Sequence, residues 1–201
     1  MGQPLLFKAI IFKNPTDRMK YYLSFIRIKS ADDVRFNQAW QLYQKAFPVD
    51  ERRQLAFQKV ILDNDRYHFK VIIVDYEFVG ILLLWHLDTY LYLEHFAISE
   101  KARGGGIGQM AMKKLMDETD GQIILEVEPP SSTINKRRIG FYERLGFKLN
   151  HHEYHQPPLQ KAGCSVQLLL MSHPKALAAE DVSLFKKQLN SHCFAPYSGI
   201  L

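Results

Sequence analysis

The 201-residue chain has only two cysteines, Cys164 and Cys193. Two are too few for a disulfide framework, and nothing around them resembles a metal-ligand set, so a reducing, cytoplasmic setting is the default reading. The apolar stretch Leu5–Phe12 is interrupted by Lys8 and is too short to span a membrane. It also lacks the basic leader and small-residue cleavage site of a signal peptide. No membrane association is expected. Neither sign of charge dominates: 26 basic and 21 acidic side chains leave a net charge of +5. The first hundred residues carry 13 basic and 12 acidic groups and the remainder 13 and 9. The small excess in the second half suits a polyanionic cofactor or an acidic partner, and simple solvation equally well. Aromatic–basic interleaving and a recognised nucleic-acid module are absent, so no nucleic-acid partner is expected. There are no repeats and no low-complexity segment. At 47% hydrophobic the chain can bury a sizeable core, and its length suits one domain or one domain with an extension.

What is present centres on Arg103-Gly104-Gly105-Gly106-Ile107-Gly108. Before it lies Tyr90–Ile98, rich in the aromatic and β-branched residues of a strand. After it lies Gln109–Met116, made of strong helix formers. Glycines let the backbone close on a ligand where a Cβ would collide. A helix opens with unpaired N–H groups and a partial positive charge, which together make an anion site. Arg103 adds a charged fork at the same place. The segment reads as strand, pyrophosphate loop, helix. It is not a P-loop, which needs Gly-Lys-Ser/Thr where this chain has Gly108-Gln109, and it carries the dinucleotide pattern G-x-G-x-x-G only in part.

Arg103-x-x-Gly106-x-Gly108 resembles the acyl-CoA pyrophosphate loop of the GNAT superfamily of N-acetyltransferases. A second block, Asn135 to Phe147, is similar to that family's later motif, in which an Asn precedes a helix whose Tyr is followed by Glu-x-Leu-Gly-Phe; here these are Tyr142-Glu143-Arg144-Leu145-Gly146-Phe147. Two blocks in order, about thirty residues apart, are far more specific than either alone. The resemblance covers residues 22–172 and is clearest over 90–147. It implies an α/β (α+β) fold: a mixed, mainly antiparallel sheet with a splayed parallel pair, flanked by helices. The domain reading is an N-terminal extension over 1–20, packing as an arm, a GNAT domain over 21–172, and a C-terminal helical extension over 173–201.

In chain order, Tyr21–Ile28 reads as the first strand. Ser30 and Asp32 offer N-caps to a helix ending before Pro48, and Asp50 can cap a second helix running to about Leu62. Phe47-Pro48-x-x-Glu51-Arg52-Arg53 also resembles a stretch that borders the acceptor pocket in this family. Strands at 69–74, 78–85 and 90–98 have short links and form a meander. The strand at 122–127 is reached through a helix, so it lies parallel to 90–98. A helix over Ile134–Leu145, stopped by Gly146, precedes strands at 147–149 and 165–171, with a Pro- and His-rich excursion between them. Residues 175–190 form a last helix.

The resemblance implies that the pantetheine arm of acetyl-CoA enters between the splayed strands. There it would pair with backbone groups of Phe96, Ala97 and Ile98, while backbone N–H groups of Arg103, Gly104, Gly105, Gly106, Ile107 and Gly108 hold the pyrophosphate. Asn135 would bond the same arm. Lys136, Arg137 and Arg138 either touch phosphates or form a solvated helix face. Glu94 is the candidate general base, with a pKa raised by burial. It shares a strand face with Tyr92, and His95 faces the opposite way. Tyr142 is the candidate general acid toward the departing thiolate. His151, His152 and His155 lack a regularly spaced fourth ligand, so no metal is expected. Tyr154–Pro158 reads as a substrate-facing loop, and Cys164 has no partners for a nucleophile's role. The expected activity is acetyl-CoA-dependent N-acetylation of a small-molecule or peptide amine. A non-catalytic acyl-CoA-binding module is the alternative, and acceptor and oligomeric state stay open.

Overall fold

A computed structural model describes residues 22–158 and 165–197. The expected N-terminal arm and Cys164 lie outside the described residues. Seven strands form one sheet: β1 (Leu23–Ile28), β2 (Tyr67–Val74), β3 (Glu77–His86), β4 (Tyr90–Ile98), β5 (Gln122–Val127), β6 (Lys148–Gln156) and β7 (Val166–His173). Their spatial order is β1-β2-β3-β4-β5-β7-β6, and β4 with β5 is the parallel pair in an otherwise antiparallel sheet. The helices are α1 (Phe36–Ala46), α2 (Leu55–Ile61), α3 (Ile107–Asp117), α4 (Thr133–Arg144) and α5 (Ala179–Leu189). The mixed, mainly antiparallel sheet expected from the sequence is the one observed.

Side chains on the two faces build two cores. On one face Tyr43 of α1, Phe57 of α2 and Phe185 of α5 pack with Phe69, Trp85 and Tyr92. On the other, Ala111, Met112 and Leu115 of α3, Ile139 and Tyr142 of α4 and Leu145 just after it pack with Leu82, Leu84, Leu93 and Leu125. The central strands are apolar on both faces because both are covered.

Several local expectations change. Neither Ser30 nor Asp32 caps α1; its N-cap position is Arg35, without a side-chain cap bond. The second helix starts at Leu55, after a 3-10 turn at Val49–Glu51. The strand beginning at Lys148 does not stop at Leu149. It runs to Gln156 through an irregularity between Asn150 and Tyr154 in its pairing with β7. Residues 151–156 are therefore strand, and Tyr154 and Gln156 point inward and are buried. Tyr154 is the one apolar residue of that run, so a strand with a buried face reads there as loop. The last helix packs Phe185 against Tyr90 and Tyr92, so it closes the first core.

Candidate active site

Where β4 and β5 meet, their pairing is short. It runs from Tyr90↔Gln122 to Leu93↔Leu125 and stops, although β4 continues beside β3 to Ile98 and β5 beside β7 to Val127. Glu94 and Glu126 are the first residue of each strand beyond the last pair. Past that apex the two strands diverge, and the backbone edge of β4 from Glu94 onward faces a gap rather than a neighbouring strand. Unpaired backbone donors and acceptors there need a partner. A cavity of about 550 Å³ occupies the gap, bounded by Leu93–Ile98, Glu126–Glu128, Phe47 and Glu51 before α2, and Arg138, Phe141 and Tyr142 of α4.

The glycine loop stands at the mouth of this gap. Gly104 and Gly106 have φ of 86° and 76°, the left-handed region that costs other residues strain. A Cβ built on Gly104, Gly105 or Gly106 meets nothing within 4 Å, so the cradle is open. Gly106 is the N-cap of α3 and has no side-chain cap bond. The first intrahelical bond is that of Met110 N–H to the Gly106 carbonyl, and the amides of the opening turn point out of the helix end. Arg103 lines the cavity and donates from Nε to the Ile98 carbonyl at 3.0 Å. Ser132 caps α4 by accepting from the Asn135 amide at 3.1 Å, and Asn135 Nδ2 donates to the Pro129 carbonyl at 3.1 Å, tying the helix to the end of β5. A diphosphate fits an open cradle of amides with an arginine at its rim.

Glu94 is not in the state expected of it. Its side chain is 1% exposed and makes a two-pronged ion pair with Arg53, itself fully buried. Trp85 Nε1 donates to the same carboxylate at 3.3 Å. Burial alone would lift the Glu94 carboxyl, but the Arg53 guanidinium and His95 outweigh it and hold the pKa at about 2. The shift is opposite to the one expected of a general base, and in this structure Glu94 is paired with Arg53. The Arg53 guanidinium also lies 5.4 to 5.7 Å from the ring centres of Phe57, Tyr67 and Trp85.

His95 does not face away from Glu94. The register between β3 and β4 slips so that Leu83 pairs with His95 and Leu84 with Leu93, leaving Glu94 as an extra residue. Such a bulge puts successive side chains on one face. His95 accordingly packs against Tyr43 and Phe47, donates from Nε2 to the Glu51 carbonyl at 2.9 Å, and has Nδ1 3.6 Å from Glu94.

Tyr142 is 7% exposed and lines the cavity. Burial lifts its phenol to about 12, with Arg138 pulling the other way. Arg138 pairs with Glu128 at 2.5 Å. Sequence reasoning missed Glu126, and it placed Arg53, Tyr154 and Gln156 only in stretches near the acceptor, without these roles. Glu126 accepts from Tyr92 Oη at 2.6 Å, and from Tyr154 Oη and Gln156 Nε2. The one signal for it was a carboxylate in an otherwise apolar strand, Ile123-Ile124-Leu125-Glu126-Val127. Among the described residues no group of three or more His, Cys, Asp or Glu is arranged to hold a metal, and no helix is long and apolar enough to cross a membrane.

Known proteins are similar to this chain in sequence and fold. The Acetyltransferase (GNAT) family matches residues 36–147. YjbC of Bacillus subtilis (strain 168), assigned as an acetyltransferase, is 28% identical over 149 residues, which are 71% of this chain and 73% of that protein. The structure of a Bacteroides thetaiotaomicron protein assigned to the GNAT acetyltransferases is 32% identical and covers 85% of this chain and 98% of its own, with a TM-score of 0.79. Arabidopsis thaliana Naa50, solved with the bisubstrate analogue CoA-Ac-MVNAL, is 19% identical over 75% of this chain and 97% of its own and shares the fold at a TM-score of 0.53. The chain therefore belongs to the GNAT acetyltransferase family.

Proposed function

We propose that the protein transfers an acetyl group from acetyl-CoA to the nitrogen of a primary amine, by direct attack while both substrates are bound. The observation that carries this reading is the parting of β4 from β5 after Leu93↔Leu125, with the open cradle at Gly104–Gly106 beside it. An extended, amide-bearing arm can add to the exposed edge at Phe96, Ala97 and Ile98 as another strand would. The amides from Arg103 to Gly108 hold the pyrophosphate, and the Asn135 amide oxygen accepts from the arm while Nδ2 keeps its bond to Pro129. Acceptors are small-molecule or peptide amines entering past Phe47 and Glu51.

Tyr142 serves the leaving sulfur. Its phenol at about 12 is a weaker acid than a thiol at about 8.5. It therefore acts chiefly by donating a hydrogen bond to the developing thiolate, with complete proton transfer a lesser part. Glu94 holds Arg53 and leaves the proton of the amine to another group.

The test is calorimetric titration with acetyl-CoA together with a panel of amines followed by free CoA release. Binding with release on at least one amine is the expected result. Binding with no release would make the protein an acyl-CoA-binding module instead, and no binding would remove the reading altogether.

A further inference from the structure

We propose that His68 and His86 form a two-histidine site for a divalent transition-metal ion of the nitrogen-preferring kind, such as Zn²⁺, Ni²⁺ or Cu²⁺. The site is separate from the gap between β4 and β5 and does not depend on the acetyltransferase reading. β3 pairs with β4 from Gly80↔Ile98, at the end of the glycine loop, to His86↔Leu91 at the other end. The two histidines stand at that other end, His68 as the second residue of β2 and His86 as the last of β3.

The backbone brings them together. Tyr67 pairs with Trp85 and His68 with Leu84, and the His86 amide donates to the Arg66 carbonyl at 2.8 Å. His68 and His86 are therefore diagonal neighbours on adjacent strands, within reach of each other. Tyr67 and Trp85 point into the core under α1 and α5, so strand alternation sends both histidines to the opposite face. There His68 Nδ1 lies 3.1 Å from His86 Nε2. Bonds from zinc to imidazole nitrogen are about 2.0–2.1 Å. Two such bonds to nitrogens 3.1 Å apart enclose about 98° at the metal, between the right angle of square or octahedral sites and the tetrahedral angle. The ring centres are only 4.2 Å apart, with the planes at 51°. In a straight N–H···N bond the rings stand end to end, with their centres well outside the two nitrogens. The oblique, side-by-side rings here are closer to two neighbouring ligands on one ion.

The surroundings fix the form of His68 that an ion needs. Its Nε2 lies 3.1 Å from the Asp65 carbonyl. A carbonyl only accepts, so Nε2 carries the hydrogen and Nδ1 presents its lone pair. Metal-binding histidines commonly donate their second N–H to such a carbonyl, which sets the tautomer and the ring orientation. The turn that supplies the carbonyl is itself held, by the Arg66 amide on Asn64 Oδ1 at 2.8 Å and the Tyr67 amide on the Asn64 carbonyl at 3.0 Å. Arg66 Nη1 also donates to the His86 carbonyl at 3.1 Å. His86 is exposed. It frees Nε2 by moving its hydrogen to Nδ1, with no net proton released, and water completes the coordination.

Charge supports the same assignment and bounds its strength. Burial, with His86, Arg27 and Lys70 acting the same way, lowers the His68 pKa to about 4, and burial, Lys70 and Arg27 lower that of His86. Both rings are neutral at neutral pH, as metal ligands must be. The same two cations repel a dication, so binding is weaker than at a structural zinc site with four protein ligands. Mg²⁺, which takes oxygen ligands, should leave the pair alone.

Two measurements on the full chain test this. In the first, Zn²⁺ is titrated calorimetrically at neutral pH into wild type, His68→Gln, His86→Gln and, as a control for the remaining histidines, His151→Gln. Zn²⁺ affinity should fall about tenfold or more in each of the first two variants and stay unchanged in the control. Acetyl-CoA affinity should be the same in all four, which shows that the variants fold. In the second, one equivalent of Cu²⁺ is read by electron paramagnetic resonance. Two imidazole nitrogens are expected on copper in the wild type and one in His86→Gln. No Zn²⁺ binding by the wild type, an affinity unchanged in both His68→Gln and His86→Gln, or a wild-type copper spectrum without two imidazole nitrogens overturns the proposal.

Discussion

Replacing Arg53 with Met removes one half of an ion pair whose partners are both shut away from water, at 0% and 1% side-chain exposure. The thioether chain keeps most of the contact with Phe57, Tyr67 and Trp85. What it leaves behind is a carboxylate in an aromatic cage. Breaking a buried pair from one side costs about 3–5 kcal/mol, because the survivor's desolvation is no longer offset. That is a large share of the ~5–15 kcal/mol that stabilises a typical domain. Glu94→Gln alone leaves Arg53 uncompensated and should cost a similar amount, although Trp85 Nε1 keeps an acceptor. The double variant removes both charges and should recover most of the loss. The expected coupling is thus at least about 2 kcal/mol from a double-mutant cycle in urea.

The pH dependence separates this account from generic damage. In the wild type Glu94 has a folded pKa lowered from 4.5 to about 2, so its stabilisation is present above the unfolded value and is lost as the pH falls toward 2. In Arg53→Met burial is opposed only by His95 and raises the same carboxyl, so that variant should be closer to wild type at pH 5 than at pH 8. Turnover decides the role of Glu94. If it is only a counterion, Arg53→Met/Glu94→Gln should work within about tenfold of wild type, well short of the 10²–10⁴ that a lost base costs. Recovered stability with unrecovered turnover would return Glu94 to the mechanism, and additive losses without coupling would refute the ion-pair account.

Tyr142→Phe should lower kcat with acetyl-CoA affinity by calorimetry unchanged; unchanged kcat removes Tyr142 from the reaction. Gly106→Ala places a side chain at φ 76°, for about 1–2 kcal/mol of strain, and aims its Cβ into the open cradle. Acetyl-CoA affinity should fall tenfold or more, and an affinity unaffected by the change would show that the diphosphate lies elsewhere. Gly80→Ala brings a Cβ to 2.5 Å from the Ala97 carbonyl; it should depress both the thermal midpoint and acetyl-CoA binding, since β3 then pushes on the strand edge that receives the arm. Glu126 takes up its proton more readily in the folded state, so its contribution is greatest below about 4.5 and declines as the pH rises to about 7. Urea midpoints of Glu126→Gln across that window should fall less with rising pH than those of the wild type.

The glycine loop and the two strands beside it were legible because local chemistry specifies them. A strand pattern, three consecutive glycines and a helix pattern leave little choice of backbone. The parallel partner of β4 followed from the helix between them. Other features depend on relationships that a linear reading does not contain. Strict alternation puts Glu94 and His95 on opposite faces, and only the slipped pairing with Leu83 and Leu84 reveals that they share one. Arg53 sits in a charged stretch, Glu51-Arg52-Arg53, with nothing to distinguish it from a solvated neighbour until the fold brings it 41 residues along the chain to Glu94. Glu126 drew no functional reading because its three donors come from β4 and β6, the latter concealed in a histidine-rich run.

The two carboxylates at the apex show why Glu94 does not have the raised pKa expected of it. Both sit where a sheet opens, and burial pushes both pKa values upward. Glu94 keeps the face of Tyr92, where Arg53 meets it, and the bulge in β4 turns His95 onto that face as well. Glu126, on the unbulged strand, meets only hydroxyls and an amide. A full positive charge offsets the cost of burial; neutral donors offset it in part. The difference between a carboxylate held ionised and one poised near neutrality therefore comes down to whether the partner it meets on the same face of the sheet carries a full positive charge. The effect of deleting the bulge should be visible. A variant restoring regular pairing by removing Glu94 would leave Arg53 unpaired and join β4 to β5 further along, closing the edge the acyl carrier needs. Loss of acetyl-CoA binding is then expected even if Arg53 is replaced by Met to remove the unpaired charge, and retained binding would show that the opening of the sheet does not depend on the bulge.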